Sequence, residues 1–442
     1  MLDAGPGVCA NGQLDLTSAE SDIDCGGTCL PCDVDRACNT AADCQTGACV
    51  ASFCALVTAG PTEPTPRWLF VGRYNNANIA ETDGRTAMGL ARNGSRFYVA
   101  GGGVTLTSGS FPDRASSKLL ELVTSPINNA LTGLSTKSSM PAARLGPWAV
   151  FTAGELYVFG GQTGLGIPVN SIVRYTPASD TWTAAGTLTT RFNEGTPMTL
   201  PDGGVLVALG SGDLVTWHPD AGFVDAGAVS GSVTGAALHP SGDLYFFASD
   251  SDRTTLRLPA GSSSTLSLAS APRSHAGGRA VFAPDQRFYL VGGVRAVDAF
   301  SPGPQAWAGV ASTNDEHSGG PIALGEDGRV YVFMGNQIPT DGGGNYSATV
   351  EAYGPVLTVS PSLGQAGTPA SVSGTNFAAD ASVSLYWGPP DGGLFVRTTN
   401  TSVNGDFTNV SFRIPDGGST TGPIYAVDSR ARYPAWAPFT RQ

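Results

Sequence analysis

Along most of the chain, short apolar segments alternate with turns rich in Gly, Asp, Asn and Pro. No segment shows the 3.6-residue spacing of apolar positions that marks a long amphipathic helix. Paired apolar segments instead bracket tight turns, as in the stretch from Arg279 to Val291, RAVFAPDQRFYLV, where Pro-Asp-Gln separates two strands. This pattern predicts an all-β protein made of short antiparallel strands.

One unit of this pattern recurs six times. Its second strand is strongly apolar and stands at FYVAGGG (97–103), LYVFGGQ (156–162), VLVALGS (205–211), LYFFASD (244–250), FYLVGGV (288–294) and VYVFMGN (330–336). The last three begin at residues 244, 288 and 330, which places them 44 and 42 residues apart. A period of roughly 40–50 residues with four strands per unit is typical of a β-propeller. The sequence therefore predicts six blades between residues 66 and 355.

The units resemble the Kelch repeat, which has a double Gly after its second strand, an aromatic residue in its third and a Trp in its fourth. Residues 144–191 match best, through LYVFGG, Tyr175, Trp182 and Gly186. Residues 273–307 match next best, and residues 230–270 match least, because Ala-Ser-Asp replaces the Gly pair. The resemblance implies a Kelch-like propeller over about 290 residues.

The sixth unit ends at SATVEAY (347–353) and lacks a fourth strand. The segment PRWLFVGRY (66–74), by contrast, precedes the first unit, and its Trp68 and Gly72 have the spacing of Trp182 and Gly186. An open ring would leave unpaired strand edges. We therefore expect the N-terminal strand to complete the sixth blade and close the ring.

The C-terminal part, residues 356–442, has alternating strands of its own. It resembles an IPT/TIG immunoglobulin-like domain through Ser360-Pro361, Gly364, Gly367-Thr368 and the segment Val372 to Phe377. The resemblance implies a seven-stranded β-sandwich. Domains of this type serve as spacers or binding modules.

All eight cysteines stand in residues 1–55, and a linker-like segment, 56–65, follows them. An even count in a short segment predicts disulfides, although the closely spaced thiols of CGGTCLPC (25–32) leave a zinc site open. The alternating spacing favours pairing Cys38 with Cys49 and Cys44 with Cys54. The predicted disulfide residues are Cys9, Cys25, Cys29, Cys32, Cys38, Cys44, Cys49 and Cys54.

This segment resembles a cysteine-rich module of surface proteins from myxobacteria and related bacteria. The matching residues are Asn11-Gly12, Glu20 to Gly27, Asp43-Cys44 and Gly47 to Cys49. The resemblance implies an exported, oxidised location. Within it, Glu20, Asp22 and Asp24 alternate and offer oxygen ligands for Ca²⁺; the alternative is that these side chains cap turns.

Composition narrows the classes of function. The chain of 442 residues has a net charge of -12 and a pI near 4.7, which disfavours nucleic acid as a partner because phosphate binding needs a basic surface. No apolar segment reaches the roughly 20 residues of a membrane span. The first residues, MLDAGPGVCANG, have neither the basic nor the apolar region of a signal peptide, so we expect none in the chain as given.

Propeller geometry predicts where a ligand would bind. Loops from strand two to three and from four to one share one face, and this face receives the long segments 101–117, 160–170 and 335–347. It also receives the basic residue before each first strand. Arginines around one central channel can form an anion site. The alternative is that these side chains brace neighbouring blades by hydrogen bonds to backbone carbonyls. The predicted ligand-binding residues are Arg85, Arg144, Arg191, Arg273 and His317.

The layout of a Kelch-like propeller followed by an Ig-like domain also resembles galactose oxidase. That family needs copper held by Tyr and His, with a Cys cross-linked to a ligand Tyr. Here the propeller has no cysteine, and the four histidines are His218, His239, His275 and His317, with His239 expected on the opposite face. No G-x-S-x-G elbow supports Ser-His-Asp hydrolysis either. The sequence therefore predicts no catalytic residues.

The sequence favours an exported cell-surface or extracellular protein that binds or adheres without catalysis. Its expected partner is a protein or a glycan at the cell surface. Two alternatives stay open: a self-associating structural subunit of an extracellular filament or coat, and a secreted enzyme that acts on glycans at the propeller mouth. No cofactor is expected beyond the candidate Ca²⁺.

Overall fold

The computed structural model is an all-β protein. It describes the following residues: 19–21, 25–29, 32, 37–43, 49–50, 53–54, 66–73, 85–104, 114–125, 130–188, 195–200, 202–209, 211–229, 233–248, 253–275, 277–337, 345–390, 393–416, 423–431 and 433–441. In these ranges the one helical element is a 3₁₀ turn, Ala41–Asp43. No helix in these ranges has the length and hydrophobicity to cross a membrane.

Six four-stranded antiparallel sheets form a β-propeller, as the sequence predicts. The strands of blades one to three are Gly89–Asn93, Arg96–Ala100, Leu119–Ser125 and Ala130–Lys137; Trp148–Thr152, Glu155–Phe159, Ser171–Thr176 and Thr181–Thr187; and Gly195–Thr199, Val205–Leu209, Asp213–His218 and Gly222–Ala228. The strands of blades four to six are Gly235–Leu238, Leu244–Phe247, Thr255–Leu258 and Leu266–Leu268; Arg279–Phe282, Phe288–Val291, Val297–Ser301 and Ala306–Val310; and Ile322–Leu324, Val330–Gln337, Asn345–Tyr353 and Trp68–Arg73.

The second strand of each blade is buried on both of its faces. All five residues of Val205–Leu209 and all four of Phe288–Val291 are buried, because apolar clusters fill the space between each pair of neighbouring blades. The fourth strands form the rim, and Thr181–Thr187 is mostly exposed. Burial on two faces explains why the second strands are unbroken apolar runs.

The double Gly after the second strand allows two backbones to approach closely. Gly101 and Gly161 both have a positive φ, of 67° and 85°. A Cβ at Gly101 would lie 2.5 Å from the carbonyl oxygen of Arg144, and one at Gly161 would lie 2.8 Å from that of Leu145. A side chain at either Gly would collide with the backbone segment that leads into the first strand of blade two, so the absence of a side chain leaves room for that segment.

The N-terminal strand closes the ring, as the sequence predicts. Trp68–Arg73 pairs antiparallel with the third strand of blade six, with Trp68 opposite Tyr353 and Gly72 opposite Val350. A Trp opposite an aromatic residue recurs in blade two, where Trp182 faces Tyr175. The side-chain amide of Asn314 donates to the carbonyl oxygen of Trp68 at 3.1 Å, which adds a contact from the loop before blade six.

Residues from Val356 onward form a second unit of seven strands in two sheets around one core. The first sheet is Val356–Ser360, Pro369–Thr375 and Phe407–Arg413, and the second is Leu394–Asn400, Ser382–Trp387, Ile424–Asp428 and Ala435–Ala437. A short parallel pair, Leu363–Gly364 and Thr440–Arg441, closes its edge. We call this part of the chain the C-terminal unit.

The C-terminal unit packs against the propeller face that carries the tight turns between strands one and two, such as 283–287 and 325–329; we call this the turn face. The Tyr433 ring joins the apolar cluster between blades five and six, and its hydroxyl donates to the Gly328 carbonyl at 2.7 Å. Asn376 is buried and contacts Arg67 and Gly354, which flank the closing strand pair. The described loop 160–170 lies on the opposite face; we call this the insertion face.

In the N-terminal segment, a Cys25–Cys32 disulfide is present, and Cys29 and Cys38 are also disulfide-bonded. No free cysteine occurs in the described ranges. Cys44, to which the sequence assigned Cys54 as partner, lies outside the described residues, and so does Cys9. A hairpin of Cys49–Val50 and Phe53–Cys54 ends the segment, with Cys49 opposite Cys54.

Candidate functional site

The six first strands surround a channel with a cavity of about 760 Å³. Small and apolar residues dominate its lining, among them Gly89, Ala149 and Ala280. Arg92 and Arg279 are the charged residues of that lining in the part of the chain that the structure describes. The described lining contains no carboxylate, imidazole or thiol, so it offers no general acid or base.

At the insertion face, a chain of backbone hydrogen bonds runs along the channel lining. Ala87, Gly146, Gly277 and Gly319 all have a positive φ, between 48° and 74°. Gly319 N donates to the Gly277 oxygen at 3.0 Å, Ala87 N to the Gly319 oxygen at 3.1 Å, and Gly146 N to the Ala87 oxygen at 2.8 Å. This collar, formed by these four residues, links blades five, six, one and two.

A buried basic side chain stands two residues before each of three collar residues, Gly146, Gly277 and Gly319. In blade two it is Arg144, which is fully buried. Its Nη1 donates to the carbonyl oxygens of Gly160 at 3.0 Å and Ser171 at 2.7 Å, and its Nη2 donates to the Ser171 hydroxyl at 2.7 Å. Burial lowers the pKa of Arg144 to about 10, so the side chain stays cationic at neutral pH. It ties the end of strand two to the start of strand three within its own blade.

Histidines hold the equivalent position in blades five and six. His275 Nδ1 lies 3.1 Å from the Gly292 oxygen, and its Nε2 lies 2.8 Å from Asp298 Oδ2. His317 Nδ1 contacts the Met334 oxygen, and its Nε2 lies 3.1 Å from Glu351 Oε1. Both imidazoles are buried, and each ring nitrogen faces an acceptor oxygen. Neither ring therefore presents a nitrogen to the channel as a base or a metal ligand.

The described residues that the sequence grouped as an anion site differ in their surroundings. Arg144 and His317 are buried away from the channel lining. Arg273 is 17% exposed, with its Nε 3.0 Å from Asp298 Oδ2. Arg85 begins the short strand Arg85–Thr86, which pairs with Gly103–Val104, and Arg191 lies outside the described residues.

Sequence reasoning missed His275, since it assigned the position in blade five to Arg273. The repeated tetrapeptides His-Ala-Gly-Gly (275–278) and His-Ser-Gly-Gly (317–320) contain the needed information. Aligning them places His275 with His317 and Gly277 with Gly319. Arg273 instead contacts the same Asp298 oxygen from two residues upstream.

One long loop of the insertion face, residues 160–170, is described throughout. Thr163 organises it: its hydroxyl accepts from the amides of Leu165 at 3.3 Å and Ile167 at 3.2 Å, and its own amide donates to the Ile167 oxygen at 2.8 Å. The Leu165 side chain is 87% exposed and that of Ile167 is 58% exposed. The loop thus holds two apolar side chains in solvent beside the channel mouth.

The candidate Ca²⁺ ligands lie only partly within the described residues. Asp22 and Asp24 lie outside them, whereas Glu20 is buried. The carboxylate that organises this segment is Asp43, which accepts from the amides of Gly27, Asn39 and Thr40 at 2.7–2.9 Å. The backbone hydrogen bond from Gly27 is the largest of the contributions that lower the pKa of Asp43. Across the described residues, no group of three or more His, Cys, Asp or Glu side chains is arranged to hold a metal ion.

Comparison with known proteins supports the assignment of a Kelch repeat to blade two. A family model for the Kelch motif matches residues 143–189, which covers blade two. A search of curated proteins found no match. Solved structures with a similar chain course include a fungal alcohol oxidase of the AA5 family in complex with copper, at 15% identity and a TM-score of 0.48, covering 80% of this chain and 85% of the oxidase.

Another is the structure of YjhT, at 13% identity and a TM-score of 0.48, covering 63% of this chain and 96% of that one. At these identities and TM-scores, neither likeness bears on function. The sheet topology together with the Kelch match shows that the chain contains a six-bladed Kelch-like β-propeller, closed by its N-terminal strand.

Proposed function

We propose that this chain is an exported, non-catalytic binding protein whose propeller contacts a protein partner through the insertion face. The observation that carries the proposal is the loop 160–170, where Thr163 fixes Leu165 and Ile167 in an exposed position. A backbone turn that is ordered before binding loses little conformational entropy on contact. Isolated exposed apolar residues are common on proteins, but here an ordered turn presents the pair together.

The chemistry of the channel supports binding over catalysis. Arg144, His275 and His317 are engaged in hydrogen bonds within their own blades. The described lining of the channel carries no acid–base pair. A secreted glycan-cleaving enzyme would need two carboxylates on either side of its substrate, and the described lining offers none.

The flanking regions support the location and the domain arrangement that we propose. Disulfides form in oxidising compartments, so the Cys25–Cys32 bond supports export and a cysteine-rich surface module over residues 1–55. We infer that residues 66–355 are the propeller and that residues 356–442 form an Ig-like domain of the IPT/TIG type. Support for the latter is the two-sheet core that joins Leu357 to Trp387.

The test uses the full chain with two exposed residues changed on the insertion face, Leu165→Asp and Ile167→Asp together. The matched control is Val224→Asp, which changes an apolar residue that is 54% exposed on the outer strand of blade three. Labelled protein is titrated onto the protein fraction of the envelope from the producing cells. We expect saturable binding that the double variant weakens at least tenfold and that the control leaves unchanged.

Two results would overturn the proposal. One is equal binding by the double variant and the wild-type chain, since the loop would then have no part in recognition. The other is release of soluble products from a panel of glycans incubated with the wild-type chain, which would establish an enzyme.

A further inference from the structure

Four aromatic side chains form a row across the second sheet of the C-terminal unit, one from each strand. Register places Phe395 opposite Tyr386, Tyr386 opposite Tyr425, and Tyr425 opposite Trp436. The ring centroids of Tyr386 and Phe395 lie 5.8 Å apart, and those of Tyr425 and Trp436 lie 5.5 Å apart. With strands spaced by roughly 4.8 Å, the row is about 14 Å long.

The row lies on the face of the sheet that points away from the core of the unit. The strand residues that alternate with it, such as Leu385, Trp387 and Ala426, are buried in that core. Side chains on a strand alternate between two faces, so Tyr386 and Tyr425 stand on the outer one. Phe395 is 54% exposed, and Tyr386, Tyr425 and Trp436 are half-buried.

A β-bulge brings Phe395 into the row. The pairing of Ser382–Trp387 with Leu394–Asn400 shifts register between Leu385 and Tyr386. A bulge adds a residue on one strand and turns the following side chain to another face. Here Val396 packs against the core while Phe395 lies beside Tyr386 on the outside. The ring is therefore presented to solvent where simple alternation would have placed an aliphatic residue.

The neighbouring row of side chains on the same face is uncharged. The neighbouring row on the same face is Thr398, Ser384 and Val427. Neither row contains a Lys, Arg, Asp or Glu, although the chain as a whole has a net charge of -12. A surface of aromatic faces bordered by hydroxyls fits a ligand with apolar C–H faces and hydroxyl edges. That combination is the chemistry of a sugar ring, whose C–H groups pack on the negative face of an aromatic ring.

One end of the row reaches the propeller. Trp436 Nε1 donates to the carbonyl oxygen of Glu326 at 3.1 Å, and its ring lies against Gly328 in a turn of blade six. This contact fixes Trp436 against a rigid scaffold, whereas Phe395 stands at the open end of the row. A chain ligand can therefore lie along the row and continue past Phe395.

We propose that the row Phe395, Tyr386, Tyr425 and Trp436 binds a neutral polysaccharide by stacking on its sugar rings. The proposal rests on the non-catalytic binding role proposed above, but it assigns a second site, in the C-terminal unit, with a ligand of a different class. The propeller loop would contact a protein while the aromatic row contacts a glycan.

The experiment measures retardation of the full chain in native gels that contain soluble neutral polysaccharides: mixed-linkage β-glucan, xyloglucan, glucomannan and dextran. Alginate serves as the charged comparison. The variants are Phe395→Ala, Tyr386→Ala and Phe395→Leu, and Val403→Ala is the matched control because Val403 is 64% exposed in the same unit but outside the row. The insertion-face variant Leu165→Asp with Ile167→Asp is run beside them.

We expect retardation by at least one neutral polysaccharide and none by alginate. Each alanine variant should bind about tenfold more weakly, which is the scale of one stacking ring. Phe395→Leu should lose as much as Phe395→Ala, because it keeps the apolar surface but removes the ring. Val403→Ala and the insertion-face variant should bind as the wild-type chain does.

Three results would overturn the proposal. The first is no retardation by any neutral polysaccharide. The second is retardation that the insertion-face variant abolishes and Phe395→Ala does not, which would move glycan binding to the propeller. The third is concentration-dependent dimerisation of the wild-type chain in light scattering that Phe395→Ala abolishes, because the row would then be a self-association surface. Failure of protein binding at the propeller loop would not affect any of these readouts.

Discussion

Replacing Asn376 with Gly should open the ring-closing strand of the propeller. Asn376 is 4% exposed and lies in the C-terminal unit, yet its side chain contacts both strands at the closure. Its Oδ1 accepts from the Arg67 amide at 3.0 Å, and its Nδ2 donates to the carbonyl oxygens of Arg67 at 2.9 Å and Gly354 at 3.0 Å. Arg67 immediately precedes Trp68–Arg73, and Gly354 immediately follows the strand that pairs with it.

The magnitude follows from these three hydrogen bonds. A typical intramolecular hydrogen bond contributes about 1 kcal/mol net, so their loss should lower the opening free energy of the closing strand by about 3 kcal/mol. Asn376 has a φ of 61°, a conformation that Gly adopts without strain. The Gly variant therefore isolates the side-chain contacts. Asn376→Ala should cost about 1 kcal/mol more, because a Cβ is disfavoured at a left-handed φ.

The assay is amide hydrogen exchange of peptides covering residues 66–73, which reports local opening. A loss of 3 kcal/mol corresponds to exchange that is about 100-fold faster. The matched control is Asn409→Gly, since Asn409 also has a positive φ, of 52°, but its side chain is exposed. Unchanged exchange in residues 66–73 of the Asn376→Gly variant would show that the C-terminal unit does not stabilise the ring.

Three further outcomes follow from the structure. Deleting residues 66–73 should leave the outer edge of Asn345–Tyr353 unpaired and produce aggregates in size-exclusion chromatography. A monodisperse monomer with unchanged melting would contradict the closure. Arg144→Lys should lower the free energy of unfolding by about 3 kcal/mol in denaturant titrations, because the forked donors to Gly160 and Ser171 are lost. Arg174→Lys, at a half-buried position whose one side-chain hydrogen bond to Thr183 is exposed, should cost under about 0.5 kcal/mol. Hydrogen bonds to Asp43 lower the pKa of its carboxyl in the folded chain, so its stabilisation of the N-terminal segment should be complete above about pH 4 and lost as the pH falls through the folded pKa. The amide shifts of Gly27 and Thr40 in NMR should report that loss. An Asp43→Asn variant should show no such transition.

Blade count and ring closure could be predicted from the sequence because their determinants are local. The turn at Pro284 to Gln286 and the Gly pair at Gly292-Gly293 stand in the segment they shape. The spacing of Trp68 and Gly72 also identified the missing fourth strand, since it copies the spacing of Trp182 and Gly186. Even blade four, with the weakest repeat pattern, forms four paired strands.

The candidate sites were less predictable because they depend on side-chain direction. Arg273 and His275 both precede blade five. His275 stands two residues before the positive-φ residue Gly277, as Arg144 stands two residues before Gly146, so His275 occupies the position of Arg144. The aromatic row depends on a bulge beside Tyr386, which no alternation pattern shows. The contact of Asn376 with Arg67 spans 309 positions of sequence, and nothing local at either residue indicates the other.

Closure by Trp68–Arg73 has a consequence for how the chain is made. Trp68 pairs with Tyr353, so the first propeller strand to be synthesised cannot pair until the last propeller strand has been made. Contacts between such distant residues form slowly, because the entropy of closing the intervening loop must be overcome first. Until then, both strand edges are available to other chains. A chain interrupted before Asn345–Tyr353 is made keeps Trp68–Arg73 unpaired, so the incomplete product exposes a strand edge to which other chains can pair.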